Sequence, residues 1–97
     1  MGKEAQGRSP EGPVATEIRR RIEAALAPEQ LEIIDESERH RGHAGWREGG
    51  ESHFRLRLRA PSLARMSRLA RHRAIHAALG RDLMARIHAL AIEIEEG

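Results

Sequence analysis

Hydrophobic residues recur at two different spacings along the chain, and these spacings predict its helices and strands. From residue 13 to residue 27 an apolar side chain returns every four positions, as expected for one face of a helix; these residues are Val14, Ile18, Ile22 and Leu26. Pro13 suits the first turn of this helix, and Pro28 predicts that it ends at about Ala27.

Three other segments have the pattern of strands. Residues 31–35 form a short run rich in β-branched side chains, and residues 52–59 alternate apolar and basic side chains with a period of two. This alternation directs one set of side chains to the core (Phe54, Leu56, Leu58 and Ala60) and the other to the opposite face (His53, Arg55, Arg57 and Arg59). Residues 88–95 alternate as well, with Leu90, Ile92 and Ile94 on one side and Glu93 and Glu95 on the other.

A second helix is predicted between the last two strands. The segment 60–62 ends the strand, because proline cannot donate to a sheet. One helix face then carries Leu69, His72, Ile75, His76 and Leu79. Gly80 suits the C-terminal cap, and a short further turn of helix is expected over residues 82–86.

The order of these elements predicts an α+β fold. It is a two-layer αββααβ arrangement, in which a three-stranded mixed sheet carries its helices on one face. The helical crossover favours parallel, right-handed pairing of the last two strands. Glu93 and Glu95 would then lie beside Arg55, Arg57 and Arg59 on the open face of the sheet.

Length and composition restrict the function classes. The 97 residues suit one small domain, predicted at residues 13–97 after a disordered tail at residues 1–12. The chain has no cysteine, so it can supply neither a disulfide nor a thiolate ligand. No run is long enough to span a membrane, and the first dozen residues lack the apolar core of a signal peptide. We therefore expect a cytoplasmic protein that does not associate with membranes.

Charge gives only weak support for a nucleic-acid partner, because 17 basic residues are set against 15 acidic ones. The arginine run 19–21 is interpreted as a solvated helix face, with an anion site as the alternative. The alternating arginines of the second strand are interpreted as partners of Glu93 and Glu95, with phosphate contact as the alternative.

The histidines and glycines by themselves suggest no defined chemistry. His40 and His43 lie in a glycine-rich loop, where a histidine pair is usually exposed polar surface, and His88 lies at the start of a strand. The segment 42–45 matches the GxxG pattern of KH domains, but it joins two strands instead of two helices. Trp46 is either a partner anchor or a partly buried loop residue. Since no serine or histidine is set beside an orienting carboxylate, we do not expect an enzyme.

Four blocks of sequence resemble the BolA-like proteins. They are Asp35-Glu36-Ser37, Gly49-Gly50-Glu51-Ser52-His53-Phe54, Arg71-His72-Arg73 followed by Ile75 and Leu79, and Ile87-His88-Ala89-Leu90-Ala91-Ile92. In their expected order they cover the chain from about Val14 to Ile94. The fold of that family is an αββααβ arrangement similar to one of the KH topologies, which agrees with the order predicted from the patterns.

The resemblance implies a monothiol glutaredoxin as partner and a [2Fe-2S] cluster shared with it and with glutathione. In such a complex the glutaredoxin cysteine and the glutathione thiolate hold one side of the cluster. The matching ligands here are His88 and one loop histidine, either His40 or His43, so the chain would be of the histidine type. We expect no cluster to bind stably to the chain alone, which would be a monomer or a weak homodimer.

Two other hypotheses stay open at this point. The resemblance also carries a role as a DNA-binding transcriptional regulator of stress response and cell morphology, in which Arg68, Arg71, Arg73 and Arg81 would meet the phosphates. The third hypothesis is a protein-binding module without a cofactor, which would use Trp46 and the glycine-rich loop.

Overall fold

The computed structural model describes residues 11–37 and 50–95. The elements run in the order α1 (Pro13–Leu26), β1 (Gln30–Asp35), β2 (His53–Arg59), α2 (Arg68–Met84) and β3 (Ala89–Ile94), with one turn of 3-10 helix at Pro61–Leu63. The predicted two-layer α+β fold is confirmed, and the predicted strand bounds agree with the observed ones to within one residue.

The sheet is mixed, with β2 in the middle. Strand β1 pairs with β2 antiparallel, so that Ile33 lies opposite Leu56. Strand β3 pairs with β2 in parallel, which sets Ile92 beside the same Leu56. The helical crossover between β2 and β3 accounts for the parallel pairing, as predicted.

Helix α1 begins and ends where its prolines predict. Pro13 occupies the first turn, while Ala27 adopts a left-handed conformation immediately before Pro28. The apolar stripe is buried along its whole length. It packs into a single core with the inward side chains of β2 and the buried face of α2; this core contains Ile18, Ile22, Phe54, Leu56, Leu58, Leu63, Ile75, Leu79 and Leu83, among others.

The buried face of α2 differs from the predicted one. Leu69 is 59% exposed, His76 is exposed and His72 is half-buried, so the first two belong to the solvent side. The buried stripe is instead Ile75, Leu79 and Leu83. The fully buried leucine next to the start of α2 is Leu63 of the 3-10 turn, which the sequence patterns did not identify.

Gly80 breaks α2 near its end, where the sequence predicted a cap and a second helical turn. Its φ of 82° and ψ of 156° are non-helical, and the helix resumes only as far as Met84. Arg21 of α1 binds the residues on either side of this break. Its guanidinium donates to the Leu79 carbonyl at 2.5 Å and to both carboxylate oxygens of Asp82 at 2.9 Å. Because Arg21 bonds to it, the pKa of Asp82 falls from 3.8 to about 2.

The arginine run of α1 is engaged in ion pairs. Arg19 binds Glu11 at 2.6 Å, and Arg20 and Arg21 both bind Glu17. Glu11 and Gly12 belong to the predicted disordered tail, and the remainder of that tail, residues 1–10, lies outside the described residues. Within residues 11–37 and 50–95, no helix is long and apolar enough to cross a membrane.

Replacing Gly80 by alanine should destabilise the protein, although the same change inside a regular helix is stabilising. A side chain at this φ and ψ is strained, and its Cβ would lie 2.9 Å from an Asp82 oxygen and 3.1 Å from an Arg21 nitrogen. We expect Gly80→Ala to lower the free energy of unfolding by about 2 kcal/mol, measured by urea denaturation. A gain in stability would show that the break is not required.

Candidate cofactor site at the base of the loop

His88 lies on the surface immediately before β3. Its side chain is exposed, while its backbone N–H donates to the Ser52 carbonyl at 2.8 Å. Ser52 belongs to the segment that enters β2 after residues 38–49. The loop residues His40, His43 and Trp46 lie outside the described residues, so the site is described from the two ends of their loop and from His88.

A carboxylate joins the two ends of this loop. Asp35, the last residue of β1, accepts one hydrogen bond from the Ser37 N–H and one from the Glu51 N–H, both at 2.9 Å. Gly50 meets the same carboxylate closely, because a Cβ there would lie 2.9 Å from an Asp35 oxygen, and its φ of 84° favours glycine. The chain is therefore closed at a fixed point before and after residues 38–49.

The Ser37 hydroxyl makes a second connection between the two ends of the loop. Its oxygen accepts the backbone N–H groups of Ser52 at 2.9 Å and His53 at 3.3 Å, and the Ser52 hydroxyl lies 3.2 Å away. Ser37 and Ser52 are almost completely buried. Since unpaired backbone groups are costly in such a place, this hydroxyl fixes the entry to β2.

His53 is part of this buried cluster, although the sequence pattern places it on the open face of the sheet beside the arginines. It is only 4% exposed, and its Nδ1 lies 2.8 Å from the Ser52 hydroxyl oxygen. Its ring also contacts that of His88, with the ring centroids 5.1 Å apart and the planes tilted by 53°. The period-two pattern assigned the face of the sheet correctly, but it contains no signal that His88 and the end of β1 cover this position.

Glu51 connects the loop to α1. Its carboxylate oxygens accept the N–H groups of Val14 at 3.3 Å and Ala15 at 3.0 Å. The residue before the helix, Gly12, has no side chain to serve as a cap, so a carboxylate from a distant segment fills this role. The same loop end is thus held by β1 on one side and by α1 on the other.

The open face of the sheet carries the predicted ion pairs. Arg55 binds Glu36 at 2.8 Å and Glu93 at 2.6 Å, and Arg57 binds Glu93 at 3.1 Å. Arg59 approaches Glu95 at 3.9 Å. The hydrogen bonds from Arg57 and Arg55 lower the pKa of Glu93, and the carboxylates in turn raise the pKa of both arginines. Each arginine of β2 therefore has a carboxylate from β1, from β3 or from a residue flanking them as a neighbour.

The four arginines predicted for phosphate contact differ in their surroundings. Arg68, Arg73 and Arg81 are exposed on α2. Arg71 is half-buried, and its guanidinium donates to the carbonyls of Leu63, Ala64 and Met66 at 3.1 Å. It closes the 3-10 turn that precedes α2, so removing it would also disturb the fold.

Residues 22–96 match a family model described as BolA-like protein. The chain belongs to the BolA-like family. It is 40% identical over 93 residues to BolA-like protein 1 of Mus musculus, covering 96% of this chain and 65% of the relative. It is also 42% identical over 79 residues to the DNA-binding transcriptional regulator BolA of Escherichia coli, covering 77% of this chain and 71% of that protein.

The fold agrees with solved BolA structures. The BolA domain of SufE1 from Arabidopsis thaliana superposes with a TM-score of 0.75 at 34% identity, covering 90% of this chain and 95% of that domain. The chain spans less than two thirds of the length of the mouse relative. The activity of that longer protein is therefore not assigned to this chain.

Two of the sequence blocks that resemble the BolA-like proteins meet at the base of the loop. The Asp35-Glu36-Ser37 block closes β1, and the block from Gly50 to Phe54 supplies its partners. His88, from a third block, contacts His53 of the second. The described residues 11–37 and 50–95 contain no group of three or more histidine, aspartate or glutamate side chains that could hold a metal ion. A metal bound at His88 would therefore need ligands from beyond these residues.

Replacing Ser37 by alanine should open the base of the loop. The change leaves the buried N–H groups of Ser52 and His53 without their acceptor, so we expect the free energy of unfolding to fall by about 2 kcal/mol. Amide hydrogen exchange should quicken at these two positions. The control is Ser62→Ala, which removes an exposed hydroxyl bonded to the Leu26 carbonyl. An equal effect of both variants would contradict the structural role of Ser37.

Proposed function

We propose that this BolA-like chain is a non-catalytic adaptor that pairs with a monothiol glutaredoxin and shares a [2Fe-2S] cluster with it. In this proposal His88 and one of the loop histidines, His40 or His43, are the ligands from this chain. The cluster is cargo, held or handed on during iron–sulfur trafficking or iron regulation. The chain would act in the cytoplasm, as a monomer or weak homodimer until it meets the glutaredoxin.

The observation that supports this proposal is the position of His88 at the base of the loop. The side chain of His88 is exposed, and its backbone N–H donates to the carbonyl of Ser52. Ser52 lies where the chain enters β2 after residues 38–49. The other end of the loop, Ser37, is bonded to the same Ser52. The described residues on both sides of the loop are therefore held next to the start of β3, and the proposal is that one loop histidine joins His88 from there.

The donor set is compatible with half of a cluster site. Two neutral imidazoles can replace two thiolates on one iron, as in Rieske centres, where they raise the reduction potential. The chain has no cysteine, so the remaining thiolates must come from outside it. A glutaredoxin cysteine and glutathione would supply them, which is the arrangement that the family resemblance implies.

The test is a titration of a reconstituted glutaredoxin–glutathione [2Fe-2S] sample with this chain, followed by visible absorption and circular dichroism. We expect a new spectrum that saturates at one chain per glutaredoxin. His88→Ala should abolish the new spectrum and leave the fold intact, because the side chain is exposed and precedes the strand. Far-ultraviolet circular dichroism verifies the fold of the variant.

The loop ligand is identified by changing His40 and His43 to alanine separately. One of the two variants should lose the new spectrum and the other should keep it. His76→Ala is the control, since it removes an exposed histidine on α2 that the proposal does not use. A wild-type chain that binds glutaredoxin without altering the spectrum would favour a protein-binding module and reject the shared cluster.

A second candidate function is DNA binding. Two observations favour it: the similarity to the Escherichia coli DNA-binding regulator, and the exposed arginines Arg68, Arg73 and Arg81 on α2. If these arginines contact phosphates, the logarithm of the binding constant should fall linearly with the logarithm of the salt concentration. Arg73→Gln should make that slope less steep by about one, the amount expected for one lost phosphate contact, as measured by fluorescence anisotropy with duplex DNA. A slope unchanged in this variant would exclude Arg73 from such an interface.

A further inference from the structure

We propose that His53 is a positioning residue, whose buried ring holds the His88 imidazole in the orientation from which it binds the shared cluster. This inference rests on the proposed function and adds a residue that is itself not a ligand. His53 is nearly inaccessible, and its Nδ1 is already beside the Ser52 hydroxyl at 2.8 Å. The contact that concerns the site is between the rings of His53 and His88, whose centroids lie 5.1 Å apart with the planes tilted by 53°.

The contact matters because His88 is otherwise an exposed side chain. An unrestrained surface histidine exchanges among staggered rotamers, and fixing it on binding has an entropic cost. A tilted aromatic neighbour removes some of these rotamers in advance. The His88 ring is thus ordered before a partner binds, and this preorganisation lowers the entropic cost of binding.

The orientation of His53 is itself determined by the residues at the two ends of the loop. Ser52 approaches Nδ1 through its hydroxyl, and the Ser37 hydroxyl lies 3.2 Å from the same atom of Ser52. The Glu36 N–H donates to the His53 carbonyl at 2.8 Å. A continuous set of buried contacts therefore runs from the end of β1 to the surface imidazole. It connects closure of the loop to the direction of the His88 ring.

The first test uses the chain alone and needs no cluster. The χ1 rotamer of His88 is measured by NMR from its three-bond couplings. We expect one dominant rotamer in the wild type and an averaged population in His53→Ala. His53→Phe keeps a flat ring and loses both ring nitrogens, so it should restore most of the preference if ring packing is responsible. An unchanged rotamer population in His53→Ala would overturn the proposal.

The second test uses the glutaredoxin–glutathione cluster sample. His53→Ala should raise the chain concentration at half-saturation of the new spectrum by roughly threefold to tenfold, as expected for one side chain that must be immobilised on binding. The saturated spectrum should keep its shape, since His88 is still present. His53→Phe should remain within about twofold of the wild type by the same reasoning. His76→Ala again serves as the control.

Several outcomes separate this proposal from its alternatives. If His53→Ala changes the shape of the saturated spectrum, His53 is a ligand and the positioning role is rejected. If binding weakens while the His88 rotamer is unchanged, the effect is general destabilisation and the proposal also fails. Should His53→Ala not fold, Ser52→Ala is the substitute, because it keeps the His53 ring and removes its hydrogen bond; it should broaden the rotamer distribution of His88. A wild-type chain that yields no new spectrum rejects the proposed function and leaves the rotamer test valid.

Discussion

The candidate site depends on one constraint, which is that the loop between β1 and β2 must be closed at its base, where the entry to β2 is buried and its N–H groups need acceptors. Asp35 and Ser37 meet this requirement together: the carboxylate takes an N–H from each loop end, and the hydroxyl takes two N–H groups at the entry to β2. The described residues on both sides of positions 38–49 are thereby held together. A ligand from that segment would therefore start from a fixed base.

The same closure also organises elements outside the loop. Glu51 lies at the C-terminal loop end with a φ of 63°, a conformation uncommon for a residue other than glycine, and from there it caps α1. Ser52 accepts the N–H of His88 and so sets where β3 begins. Strain at one residue is thus compensated by contacts to α1, β1 and the start of β3. This accounts for the dense polar sequence of the segment 50–53.

The sequence predicts those parts of the fold that depend on periodicity and on proline. The stripe of α1, the alternation in β2 and β3, and the parallel crossover all follow from side-chain spacing. Burial at the ends of elements does not follow, because it depends on what another segment brings there. His53 contacts residues from two other parts of the chain, and Leu63 belongs to a 3-10 turn that places its side chain in the core. The family resemblance points to His88, whereas its contact with His53 follows only from the three-dimensional fold.

The distribution of charge separates the two candidate functions. On the open face of the sheet every arginine of β2 has carboxylates from β1, β3 or their flanks within 4.0 Å, so this face offers little net positive field. The Arg71 guanidinium already donates to the carbonyls of Leu63 and Ala64, at the end of the 3-10 turn. Of the four arginines predicted for phosphate contact, Arg68, Arg73 and Arg81 are therefore the exposed ones. His88 lies in another environment, with its backbone N–H bonded to the carbonyl of the buried Ser52 and its ring beside that of His53, where its imidazole can be oriented as a metal ligand. This orientation by buried neighbours is the reason for proposing the shared cluster ahead of the phosphate contact.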